Sequence, residues 1–135
     1  MPQSSKKRGA TGMHRAQLGV HQGRKLFATD ANRYHRARPD YPPALYEFLF
    51  ANVGAAARGQ VLEIGAGSGI ASQHLLAAKC QRLCLLEPDE RFMPLLQSQF
   101  ASNQNVQLIN QSFEQWLAPQ HGFDLICCAT AYHWL

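Results

Sequence analysis

The chain has 135 residues, 46% of them hydrophobic and 16% charged, with a formal net charge of +4. That length suits one domain with its own core, and the composition is that of a folded chain and not of a disordered one. The longest apolar run, Ala44 to Ala57, is broken by Glu47 and Asn52, so no membrane span is expected. The first residues lack the hydrophobic block of a secretory signal.

The charge is unevenly spread. Up to Arg38 the chain carries Lys6, Lys7, Arg8, Arg15, Arg24, Lys25, Arg33, Arg36 and Arg38 against the lone acid Asp30. From Pro39 onward acids outnumber bases, so a mildly acidic body wears a basic leader. Residues 1–25, rich in Lys, Arg, Gly, Ser and Gln, are expected to be a disordered leader, with Met13 an equally good start. A nucleic-acid contact and a mitochondrial transit peptide are the other readings of this segment. The lack of interleaved aromatics and of an amphipathic period favours a solvated tail.

Residues 26–135 form the folded part. "LFATDANRYHRARPDYPP" is polar and aromatic and ends in prolines that would stop a helix. Pro43 suits the first helical position of "ALYEFLFANVGAA", whose Leu45, Phe48, Leu49 and Val53 share a stripe expected to cover a core. Strands are expected at Gln60–Ile64, Arg82–Leu86, Val106–Asn110 and Phe123–Ala129. Between them lie a helix over Gly69–Ala78, with Ala71, Leu75 and Ala78 inward, and a helix over Asp89–Ala101, with Phe92, Leu96 and Phe100 inward. Pro94 should make the second of these start late or bend. This alternation predicts a parallel sheet with helices on its faces, and ligands in such sheets bind beyond the carboxyl ends of the strands.

Cys80, Cys84, Cys127 and Cys128 lack the paired spacing of zinc sites and are read as reduced thiols in a cytoplasmic protein, with no metal. The glycines of "VLEIGAGSG" fall between the first strand and the helix after it. That context, and Glu87 at the end of the next strand, 20 positions beyond Gly67, suit a nucleotide whose ribose diol bonds to the acid. A nicotinamide dinucleotide would need a glycine where Ile70 stands, and Glu63 would oppose its pyrophosphate. A phosphate-free cation reverses that objection. S-adenosyl-L-methionine carries an ammonium, a sulfonium, a ribose and an adenine, and it satisfies both the carboxylate and the bare loop.

"VLEIGAGSG" resembles the first motif of the class I S-adenosylmethionine-dependent methyltransferases, and "LLEPDERF" resembles their second. "NQSFEQW" is similar to the segment that flanks the adenine, and "FDLICCATAYHWL" to the fourth motif in its type 11, trans-aconitate-like form. That branch often has a stretch like "RYHRARPDYP" before its first helix. The resemblance implies an α/β, Rossmann-like parallel sheet and a cofactor site built from Glu63, Gly65, Ala66, Gly67, Glu87, Pro88, Phe113, Glu114 and Thr130. By the same resemblance Phe113 would lie on the adenine ring and Glu114 near its exocyclic amine, although an aromatic after a strand is equally often core and Glu114 could be an exposed helix-start acid. Tyr34 and Arg38 would belong to a segment folding over the cofactor. Tyr132 and His133 would lie near the reactive methyl, His133 having a core position as its alternative.

Family members have seven strands, of which four are expected here. The chain thus resembles the cofactor-binding half of a methyltransferase, truncated after the fourth strand or completed by a missing C-terminal half, and in isolation it is expected to bind cofactor weakly and turn over little. The implied partner is a small-molecule methyl acceptor, with no nucleic acid expected. A non-catalytic S-adenosylmethionine-binding module and a nicotinamide-dependent oxidoreductase are the alternatives. No catalytic residue is singled out, because methyl transfer needs a general base only when the accepting atom starts protonated and weakly nucleophilic.

Overall fold

A computed structural model describes residues 31–132; the basic leader and His133 lie outside the described residues. The expected alternation is present. Four strands, β1 (Gln60–Ile64), β2 (Arg82–Leu86), β3 (Val106–Ile109) and β4 (Leu125–Cys127), form one sheet in the order β3-β2-β1-β4. Every pairing is parallel, with Gln60 opposite Arg82, Val61 opposite Leu125 and Leu83 opposite Val106. β4 is shorter than its apolar sequence predicts and forms one edge of the sheet, with Ile126 59% exposed.

Helices α1 (Ala31–Ala37), α2 (Pro43–Val53), α3 (Ile70–Ala77) and α4 (Met93–Phe100) complete the fold, with a 3-10 turn at Gly54–Arg58 and another at Glu90–Phe92. Pro94 acts as expected: the chain first makes the 3-10 turn, capped by the Asp89 side chain accepting from the Arg91 amide, and α4 begins only at Met93. In that first turn proline's missing donor costs nothing. Helix α1 was not expected, since its seven residues carry no buried side chain and hence no apolar period.

Alternate strand residues feed two cores. Val61, Leu83 and Leu85 pack with Leu75, Phe92, Leu96 and Phe100 on the helical side. Leu62, Ile64, Cys84 and Leu86 face the other way, against Ile109, Trp116, Phe123 and Cys128. By strand alternation Glu63 stands on the face of Val61, under α3.

Helix α2 departs from the expected stripe. It turns Tyr46 inward and packs Phe50 on the core, while Leu45 and Phe48 are 48% and 69% exposed. Leu49 and Val53 of the expected stripe are half-buried, so the inward face is turned toward Tyr46 and away from Leu45 and Phe48. The reason is tertiary: the Tyr46 ring stacks on His74 of α3 with centroids 3.8 Å apart.

Candidate active site

The loop Gly65–Gly69 carries the chain from the end of β1 into α3 with its glycines at positive φ. At Gly69 (φ 81°) a Cβ would stand 2.6 Å from Gln99 Oε1, and at Gly65 (φ 72°) 2.5 Å from the Ala131 Cβ. Both positions therefore demand glycine for conformation and for space. The loop is fastened to the end of β2, because the Gly65 and Ala66 amides both donate to the Leu86 carbonyl, at 2.8 and 3.3 Å.

Two buried carboxylates flank it. Glu87, 6% exposed, accepts the Gly67 amide at Oε2 (2.7 Å) and the Asp89 amide at Oε1 (2.8 Å). Its own backbone is held by β3, through the Ile109 carbonyl and the Asn110 side chain. A carboxylate oxygen can accept more than one hydrogen bond, as a ribose diol requires. Glu63, 1% exposed, accepts the Ser72 hydroxyl at 2.6 Å. Burial pushes its carboxyl up to about 7, aided by the charge of Glu87 and opposed by the Ser72 bond.

A strap closes the opposite side. Tyr34 and Arg38 come from α1 and the turn after it, and the Arg38 guanidinium donates to both Tyr34 Oη and Thr130 Oγ1. Tyr41 Oη donates to the same Thr130 oxygen at 3.1 Å. Thr130 has φ 55°, a strained backbone for a β-branched residue. Asp40, in the same segment, meets His74 Nε2 at 2.7 Å, and that bond holds its carboxyl below the usual range.

Together these groups enclose a cavity of about 830 Å³ beyond the carboxyl ends of β1 and β2. Its wall includes every residue singled out for the cofactor, Glu63, Gly65, Ala66, Gly67, Glu87, Pro88, Phe113, Glu114 and Thr130, together with Tyr34 and Arg38. Phe113, 45% exposed, is a wall residue and not core. Tyr132 is 77% exposed and is not part of the wall. Sequence reasoning missed Tyr41 and Ser72. The signal for Ser72 was a polar residue on an inward helical stripe, four positions after Ser68 and three before Leu75, where a hydroxyl needs a partner.

The chemistry of the wall favours a ligand with cations and hydroxyls over one with phosphates. The groups that would have to face a pyrophosphate at the glycine loop are Glu63 and Glu87, both buried acceptors. Arg91 and Arg38 lie in the wall as well, but the Arg91 guanidinium bonds to Asp89 at 2.6 Å and that of Arg38 to Tyr34 and Thr130 on the opposite side. All four cysteines are free thiols, and among the described residues no group of three or more His, Cys, Asp or Glu side chains could hold a metal. No described helix is long and apolar enough to cross a membrane.

Comparison with known proteins decides the family. The model of the ribosomal RNA adenine dimethylase family matches residues 50–129. The chain belongs to that family. An uncharacterized methyltransferase of Schizosaccharomyces pombe is 28% identical over 110 residues, 82% of this chain and 43% of the relative. A solved structure of a putative type II methyltransferase from Anaeromyxobacter dehalogenans superposes with a TM-score of 0.56 at 32% identity, over 72% of this chain and 38% of that one. The 23S rRNA methyltransferase ErmE shares the fold, with a TM-score of 0.52 at 20% identity over 64% and 35% of the two chains. The sequence thus spans less than half the length of the curated relatives it matches.

Membership in an rRNA adenine dimethylase family overturns one expectation, the small-molecule acceptor with nucleic acid set aside. The error has a physical source. The small-molecule acceptor came from the likeness to one branch of the family and not from any residue of an acceptor site, and a shared cofactor site says nothing of what accepts the methyl.

Proposed function

We propose that this chain is the cofactor-binding part of an S-adenosylmethionine-dependent methyltransferase, and that the whole protein methylates adenine in RNA. The observation that carries the cofactor is the pairing of two buried carboxylates around one glycine loop, Glu63 on the floor and Glu87 at the end of β2. Glu63 would face the cationic amino-acid end, Glu87 the ribose hydroxyls and Phe113 the adenine ring. The cofactor supplies a methyl group already activated on a sulfonium, so the protein's task is alignment and exclusion of competing reactions. The type 11 likeness rests on motifs lining this pocket and bears on the cofactor end alone.

RNA as acceptor is supported by the family and by the charge of the sequence. The nine basic residues up to Arg38, opposed by one acid, supply the positive segment that a phosphate backbone attracts. The test is transfer of labelled methyl from S-adenosylmethionine to unmodified ribosomal RNA by the full-length protein, followed by nucleoside analysis. Label in methylated adenine is the expected result. Label confined to small metabolites, with RNA unlabelled, would refute the assignment.

A further inference from the structure

Ser72 lies inside α3 with none of its surface exposed, and its hydroxyl donates to Glu63 Oε2 at 2.6 Å. A buried helical serine ordinarily turns its hydroxyl back to the carbonyl four residues earlier. This one is aimed across to the Glu63 carboxyl on β1, where a hydroxyl donor favours the ionised form. The other groups that face Glu63 are Glu87 beyond β2, Cys127 and Cys128 at and after β4, and Tyr46 on α2. None of these is a cation, and both thiols and the phenol are pushed up by burial, so they stay neutral near pH 7. Glu63 thus has a single neutral donor on its side and the charge of Glu87 against it.

We propose that Ser72 is a positioning residue for the cofactor pocket: it holds Glu63 at the floor and steadies its ionised form, so that capture of a cationic ligand by the protonated form is coupled to release of the Glu63 proton. The proton leaves the carboxyl for solvent, and the positive charge of the ligand takes its place. The coupling rests on the cofactor reading above; the Ser72–Glu63 link does not.

The test combines a carboxyl-carbon NMR titration of the ligand-free chain with S-adenosylmethionine affinities measured across pH, for wild type, Ser72→Ala and Ser72→Thr. Glu63 should titrate near neutrality in the wild type, with the midpoint about one pH unit higher in Ser72→Ala and close to wild type in Ser72→Thr. Affinity should rise about tenfold per pH unit below the midpoint and level off above it. The Ser72→Ala curve should be displaced by the same interval, about fivefold weaker at neutral pH and equal to wild type in alkali. A midpoint indifferent to Ser72→Ala, or an equal loss of affinity at every pH, would mean a merely structural serine and overturn the proposal. Should Ser72→Thr fail to fold, the shape of the Ser72→Ala profile decides alone. Binding present but independent of pH defeats the coupling and spares the cofactor. A wild type that binds no S-adenosylmethionine at any pH overturns both.

Discussion

Glu63→Gln separates what the floor carboxylate does for function from what it costs the fold. The carboxyl is buried and its folded-state value stands near 7 against 4.5 for the free group. A raised value means that the folded state holds the proton more tightly than the unfolded state. Stability is therefore unaffected below the free value, falls as pH rises between the two, and is fully reduced above the folded one. The interval amounts to about 3 kcal/mol of lost stability in mild alkali and about 1 kcal/mol near pH 5.5. Glutamine keeps the shape and can still accept the Ser72 hydroxyl. Glu63→Gln should consequently be more stable than wild type by roughly those amounts in urea titrations at the two pH values, while binding S-adenosylmethionine more weakly. A variant that is destabilised in alkali, or whose advantage does not grow with pH, would refute the buried-charge argument.

Other substitutions read other parts of the account. Glu87→Ala removes the acceptor of the Gly67 and Asp89 amides, each such bond to a charged group contributing about 1.5–3 kcal/mol. Hydrogen exchange at both amides should accelerate, and S-adenosylmethionine affinity should fall by more than about tenfold. Gly69→Ala must adopt φ near 81° and crowd Gln99 and Leu96; the left-handed backbone alone costs about 1–2 kcal/mol, visible as a lower melting temperature. On α2, Phe48→Ala should change stability by less than about 0.5 kcal/mol, whereas Tyr46→Ala should cost about 3 kcal/mol, because only Tyr46 is buried. Equal effects of the last two in thermal unfolding would return the helix to the stripe read from its sequence.

Where one force dominates, the sequence was legible. β1 and β2 are buried on both faces beyond their first residue, and their ends fall where expected. The inward faces of α3 and α4 follow from the spacing of Leu75, Leu96 and Phe100, which are all buried. Legibility failed where tertiary partners choose among local options. Helix α2 offers apolar residues on two faces, and the ring of His74 selects the one bearing Tyr46. Helix α1 rests Ala31 and Tyr34 on the core, too short a stripe to read, and its end is tied by the Arg38–Thr130 bond, 92 residues apart. In the site, the glycines and Glu87 announced themselves by position, since strand ends and turns constrain residue type. Ser72 and Tyr41 act through side-chain partners distant in the chain, which no local pattern encodes. The acceptor was misread because it was taken from a family likeness and not from residues that bind an acceptor.

The central claim is that a buried carboxylate beneath a glycine loop selects a phosphate-free, cationic adenosyl ligand over a pyrophosphate one. The most direct measurement is the thermal stability of the chain with saturating S-adenosylmethionine and, separately, with NADH. S-adenosylmethionine should raise the melting temperature and NADH should leave it unchanged. A rise with NADH and no response to S-adenosylmethionine would contradict the claim.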